Sequence, residues 1–145
     1  MPKPKRLPEE DFKRIFAQVP RLCVDLVIQT NNGIVLSQRE INPWKGYWHL
    51  PGGSVFFGES IKVAANRIAK EELGIKVSIK KTLGYIEFLE EIKLVGRHSV
   101  SIALLCTTGA KRIRGSWQAR NIGFFKKLPS PIIPQHAKAV KFIKP

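Results

Sequence analysis

The pattern of apolar and polar positions divides the chain into short segments. Phe12, Ile15 and Phe16 place one apolar side on a short helix that begins at Pro8, with Glu9, Glu10 and Asp11 suited to the positive end of its dipole. Pro20 ends that helix. Leu22 to Ile28 reads as a buried strand interrupted by one charge, Asp25, and Ile34 to Gln38 as its return across the turn Asn31-Asn32-Gly33. A loop rich in Gly, Pro and aromatics follows from Asn42 to Gly53. Ser60 to Leu73 carries the one long helical period, and Gly74 is placed to stop it. Ile75–Ile79, Leu83–Leu89, Val100–Thr107 and Ile122–Phe125 read as strands. Pro129, Pro131 and Pro134 break the chain before a last helix from about His136 to Ile143. This order predicts one mixed α/β (α+β) domain over residues 1–145, preceded by a flexible basic tail at 1–7.

One position on the long helix disturbs its pattern. Ile61, Ala64, Ala65, Ile68 and Ala69 form an apolar stripe, and Glu72 falls within about 20° of Ile61 on the same wheel. Glu71 lies at the edge, and Arg67 stands one turn before it. A lone carboxylate facing a core costs several kcal/mol unless it is paired or binds a cation. Either Glu72 emerges into solvent where Gly74 ends the helix, or Glu71 and Glu72 present oxygens to a divalent metal such as Mg²⁺, which binds carboxylate and phosphate oxygens.

Charge narrows where such a site can be built. The 145 residues hold 25 Lys+Arg and 11 Asp+Glu, a formal net charge of +14. Every acid lies at or before Glu91, and the 54 residues after it carry +11. Clustered carboxylates must therefore come from the first part, while the last part supplies cations to an anionic partner. No apolar run reaches the roughly 18 residues of a membrane span. The opening Met-Pro-Lys-Pro-Lys-Arg lacks the apolar stretch of a secretory signal. Cys23 and Cys106 sit in strand-like runs and read as reduced core thiols. Together these features predict a cytoplasmic protein with no membrane partner.

The spacing around the helix resembles the Nudix box, G-x5-E-x7-R-E-U-x-E-E-x-G-U, where U is a bulky aliphatic. Here it runs Gly53, Glu59, Arg67, Ile68, Ala69, Lys70, Glu71, Glu72, Leu73, Gly74, Ile75, preceded by Trp48-His49-Leu50-Pro51-Gly52-Gly53. The resemblance implies a Nudix α/β/α sandwich with a mixed sheet and a catalytic loop–helix. It also implies hydrolysis of a nucleoside diphosphate linked to a group X, assisted by Mg²⁺ or by Mn²⁺ in its place. Arg67 would orient the carboxylates, Glu71 and Glu72 would bind metal, the Gly52 carbonyl would join them, and Glu59 would brace the loop against the helix.

The main departure is Ile68, where the family pattern has a Glu. The first 53 residues resemble the GDP-mannose mannosyl hydrolase branch, through Leu7-Pro8-Glu9-Glu10-Asp11-Phe12, Val24-Asp25-Leu26, Gln38-Arg39, Pro43 and Gly46-Tyr47-Trp48. That branch has an aliphatic residue at the position of Ile68 and attacks the sugar carbon, releasing GDP and sugar. By this resemblance Asp25 would stabilise charge on the sugar, Arg39 would contact the diphosphate, and Gln118 would bind metal; Tyr47 and His49, beside the glycine loop, are further candidates to touch substrate. The N-terminal helix would join a homodimer interface. Ser54 stands where that branch has Arg, and Ala119 where it has its basic His. We expect His98 to be structural and His136, at the start of the last helix, to lie away from the site. The competing readings are a pyrophosphohydrolase for nucleoside triphosphates or dinucleotides, and a degenerate domain binding nucleotide or RNA through Lys111, Arg112, Arg114 and Arg120. The nucleic-acid reading is the less favoured.

Overall fold

A computed structural model of the chain describes residues 5–115 and 121–143. In chain order the elements are α1 (Glu9–Phe16), β1 (Arg21–Thr30), β2 (Gly33–Gln38), β3 (Trp48–His49), β4 (Gly52–Ser54), α2 (Ile61–Leu73), β5 (Ser78–Phe88), α3 (Glu90–Val95), β6 (Ser99–Thr107), β7 (Asn121–Phe125) and α4 (Pro134–Lys141).

Strand β1 organises the mixed sheet. It runs parallel to β6 from Arg21↔Ser99 to Ile28↔Cys106, pairs antiparallel with β4 at Cys23–Asp25, and reaches β2 only at Gln29 and Thr30. The path is β3-β2-β1-β6-β5, with β4 on β1 and β7 on β2. Between its β4 and β2 partners, Val27 and Ile28 of β1 have no ladder neighbour on that side, which leaves a gap beside Asp25 and the chain turn that carries Leu50 to Gly53.

Alternation along the strands assigns two cores. Val24, Leu26, Ile28, Leu104 and Cys106 face Ala64, Ala65, Ile68, Ala69 and Leu73 of α2. Val27, Leu36, Leu50, Ile86, Phe88 and Ala103 face α4 through Ala139. Helices on both faces of the sheet make the α/β/α sandwich that the resemblance implied. Both cysteines are free and buried, and burial pushes each thiol up to about 11. Among the described residues no helix is long and apolar enough to cross a membrane.

The elements differ from the sequence reading in several places. The two strands read at Ile75–Ile79 and Leu83–Leu89 are one strand that begins only at Ser78 and ends at Phe88, because Lys81 and Thr82 stay in the ladder with a register shift on either side, while Ile75 and Val77 are buried before it. Helix α4 begins at Pro134, not His136: proline suits a first helical position, where its missing N–H costs nothing. The loop expected from Asn42 to Gly53 holds β3 and the start of β4, and α3 adds a short helix between two expected strands. At the N-terminus Arg6, assigned to the tail, is ion-paired with Glu71 at 2.9 Å.

Candidate functional site

The site begins at the loop entering α2. The Ser60 side chain accepts the Val63 amide at 3.1 Å, capping the helix, and Gly74 closes it in a left-handed conformation at φ 68°. Before the cap, the Phe56 amide donates to Glu59 Oε1 at 2.8 Å. Arg67 then donates twice to Glu59, Nε to Oε2 at 2.7 Å and Nη2 to Oε1 at 2.9 Å, and once to the Ser54 carbonyl at 2.7 Å. Its guanidinium stacks 3.6 Å from the centre of the Phe56 ring. Burial alone would raise the Glu59 carboxyl, but Arg67 and the Phe56 amide hold it below the usual range. Arg67 therefore fixes the loop to the helix through Glu59, the bracing role expected of that residue. Its reach to Glu71 is longer, 3.4 Å.

One turn further on, Glu72 is half-buried, and no Lys or Arg among the described residues is ion-paired with it. Burial, the neighbouring Asp25 and Glu71 push its carboxyl up to about 8, against the Gly52 amide and Arg39. Asp25 is 5% exposed and is itself raised to about 6, chiefly by burial, with Ser101, His49 and Arg21 opposing. Gly52 lies between the two acids. A Cβ there would strike the Asp25 carboxylate and come 2.7 Å from the Val24 carbonyl. The glycine thus lets Asp25, Gly52 and Glu72 converge at the gap in the sheet.

Ile68 points elsewhere. It is 2% exposed, within the core beneath α2, with its Cδ1 3.6 Å from where a Cβ on Gly53 would stand. Among the described residues, no group of three His, Cys, Asp or Glu side chains is placed to hold a metal. What remains is a pair of carboxylates, Glu71 and Glu72, with the main chain of Gly52 beside them. This donor set fits one hard cation whose shell is completed by water and substrate oxygens. Uncompensated negative charge at Glu72 is what such a cation would relieve. Gln118 lies outside the described residues.

The other wall carries nitrogen. Arg39 is half-buried; its Nε donates to the Pro43 carbonyl at 2.7 Å, and burial lowers its pKa while Glu91 and Glu72 raise it. Tyr47 accepts the Arg39 amide on its carbonyl at 2.9 Å, and its ring meets Trp44 at 5.1 Å between centres, so it shapes the loop that holds Arg39. His49 and His136 face each other at 6.1 Å between ring centres. His136, expected away from the site, stands beside His49: the chain after β7 returns alongside β3, where Ile132 bridges Trp48, and α4 delivers His136, buried, to the Leu50 amide at 2.8 Å. A second compensation was also missed. At Ser54, Arg21 donates to the hydroxyl at 3.1 Å, so a guanidinium stands there from the neighbouring strand. His98 meets β1 through its main chain, its carbonyl accepting the Arg21 amide at 2.8 Å, and its ring Nε2 is buried with no hydrogen-bond partner among the described residues.

Comparison with known proteins accords with this geometry. A NUDIX domain family model matches residues 19–121. The chain is 31% identical over 123 residues to the ADP-ribose pyrophosphatase of Methanocaldococcus jannaschii, covering 84% of this chain and 72% of that protein. It is 44% identical over 82 residues to the low-salt glycan biosynthesis protein Agl8 of Haloferax volcanii, covering 57% of this chain and spanning only 53% of that relative's length. Among solved structures, the MutT NUDIX hydrolase of Burkholderia pseudomallei superimposes with a TM-score of 0.75 at 25% identity, covering 87% of this chain and 99% of that one. With the box helix, its braced loop and the sandwich around them in place, the chain belongs to the Nudix family.

Proposed function

We propose that this protein is a single-domain, Mg²⁺-dependent hydrolase of a nucleoside diphosphate linked to a sugar, GDP-mannose or a near relative, and that it cleaves at the sugar carbon to release nucleoside diphosphate and free sugar. The observation that carries this reading is the position of Ile68. The box helix turns that position into the core, so the site offers two carboxylates of the box and a buried Asp25, not the richer acid set that attack at phosphorus uses. Bound by Glu71, Glu72 and the Gly52 carbonyl, with Gln118 as a further ligand, Mg²⁺ would offset the diphosphate charge and improve it as a leaving group.

The side chains divide the remaining work. Arg39 meets the diphosphate, with Tyr47 holding its loop. Arg67 keeps the loop–helix junction in register through Glu59. Asp25, ionised while the substrate is bound, sits where positive charge would develop on the sugar ring and stabilises it electrostatically. The bond that breaks joins the anomeric carbon to the diphosphate oxygen, whose electron pair leaves with the diphosphate.

A pyrophosphohydrolase reading is favoured by one different observation: Glu71 is present beside Glu72, and the Methanocaldococcus relative is an ADP-ribose pyrophosphatase. Turnover of a nucleotide-sugar panel in water enriched with heavy oxygen separates the two. The expected products are nucleoside diphosphate and labelled sugar. Sugar phosphate and nucleoside monophosphate, with the label on phosphate, would overturn carbon attack.

A further inference from the structure

His49 and His136 are joined through one residue's backbone. The Leu50 carbonyl lies 2.8 Å from His49 Nδ1, and a carbonyl only accepts, so that nitrogen carries the proton of the neutral ring. The Leu50 amide donates to His136 Nδ1 at 2.8 Å, so His136 is an acceptor there and holds Leu50 in place. These two bonds fix the His49 tautomer and leave its Nε2 as a bare lone pair. That atom is buried and has no hydrogen-bond partner among the described residues. Ser37 stands directly across the β2–β3 ladder from His49, and its hydroxyl is likewise buried without a partner. Two adjoining polar groups left unmade are costly in a folded protein, and a water or substrate hydroxyl entering the gap would satisfy both.

We propose that His49 is the general base of the reaction, and that Ser37 helps hold the attacking water against it. The inference rests on the hydrolase reading above, but not on which atom is attacked. Water forms its new bond to the sugar carbon as the carbon–oxygen bond to the diphosphate breaks. The departing electron pair goes to the diphosphate oxygen, and the water's proton goes to His49 Nε2, from which solvent later removes it.

The surroundings set the protonation state of the ring. Asp25 of β1, Arg39 beyond β2 and His136 of α4 are the titratable or charged groups that act on the His49 ring. Burial, then His136 and Arg39, lower it to about 4 against the Leu50 carbonyl and Asp25. The free enzyme therefore holds the ring unprotonated at neutral pH. A diphosphate on Arg39 offsets one of the charges that depress its basicity, so the base strengthens when substrate is present. Asp25 then faces the imidazolium as it forms. His136 does not touch the reacting atoms; it is a positioning residue acting through Leu50.

Two measurements test the proposal. Nitrogen NMR of the wild-type protein with labelled histidine should find His49 as the Nδ1–H tautomer at pH 7, with an unprotonated Nε2; a proton on Nε2 would overturn the assignment without reference to any substrate. In kinetics, His49→Gln should lower kcat by about 10²–10³-fold with KM nearly unchanged. His49→Ala should recover part of that loss when imidazole is added. A His49→Gln variant within about threefold of wild-type kcat, or one altered only in KM, sinks the base role. Label found on phosphate in the wild type would refute carbon attack, while the His49→Gln comparison would still decide the base.

Discussion

Arg67 grips Glu59 with two parallel bonds, at 2.7 and 2.9 Å, with the Glu59 side chain only 1% exposed. The strongest contact of the box arginine is thus to the loop, not to the acids of its own helix face. Removing one partner strands the other in a dry environment, so Arg67→Leu should cost about 3–5 kcal/mol in urea unfolding. Arg67→Lys should recover only part of this, because an ammonium cannot match the two-oxygen fork. Glu59 titrates below its ordinary value, so its contribution is complete above that value and is lost as the pH falls through the depressed one. The stability gap between wild type and Glu59→Gln should be widest at neutral pH and shrink progressively as the pH falls below the ordinary value near 4.5; an unchanged gap would show that the pair is not the source.

Glu72 presents the opposite sign. Its carboxyl is raised to about 8, so the folded state holds that proton more tightly than the unfolded chain does. The resulting destabilisation is absent below the ordinary value near 4.5 and grows as pH rises towards 8. Without metal at pH 7.5, Glu72→Gln should therefore be more stable than wild type by about 1–3 kcal/mol. The advantage should vanish at pH 4. Added Mg²⁺ should raise the melting temperature of the wild type and not of the variant, which should also be inactive. A variant that matches the wild-type response to Mg²⁺ would remove Glu72 from the metal site.

The box helix was readable because its signals are local. The Ser60 cap, the apolar stripe and Gly74 lie within one short span, and each is read by neighbours along the same helix. The placement of Glu72 on the stripe was readable for the same reason, though the wheel alone left its purpose open. Strands β3 and β4 were not, since two or three residues are too few to show alternation, and their pairing comes from β2 and β1. The His49–His136 relationship was hidden for a different reason: it depends on the chain after β7 returning alongside β3, a tertiary fact that no periodicity encodes. Arg21 beside Ser54 belongs to the same class, a cation supplied across a ladder where sequence comparison sees only a missing one.

Burial of His136 makes acid stability a readout of that return. Burial first, and Arg39 second, hold the ring down to about 3, while an unfolded chain would protonate it near 6.5. The lowered value stabilises the fold above 6.5, and that stability drains away as pH falls from there towards 3. His136→Asn keeps an acceptor for the Leu50 amide but carries no titrating group. Unfolding free energies from urea titrations at pH 7 and pH 4 should fall by about 2 kcal/mol more for the wild type than for this variant. Parallel curves would mean that His136 is not buried neutral in solution.

Gly52 admits the Asp25 carboxylate beside its own Cα, and a methyl group there would also press on the Val24 carbonyl, which is backbone and cannot swing aside. Gly52→Ala should destabilise the protein by roughly 2–4 kcal/mol and reduce turnover together with it. Shortening Asp25 to Ala in the same chain should relieve only the side-chain part of the clash. Full recovery of stability in that double variant would place the obstruction entirely at the carboxylate.

Ile68 provides the sharpest test of how this box differs from its family pattern. If the position faced the metal, Ile68→Glu would restore the absent carboxylate and strengthen Mg²⁺ binding. The side chain instead lies in the core with Val24, Leu26, Leu104 and Leu73, 2% exposed. A carboxylate introduced among these groups would have to stay neutral or push the helix away from the sheet, either at a cost of several kcal/mol. We therefore expect Ile68→Glu to lower the urea midpoint strongly and to leave Mg²⁺ affinity, measured calorimetrically on the folded fraction, no tighter than in the wild type. Ile68→Gln, the same length without the charge, should be destabilised less. Tighter Mg²⁺ binding by a stably folded Ile68→Glu protein would show that the helix can rotate this position towards the gap, and would return attack at phosphorus to the front.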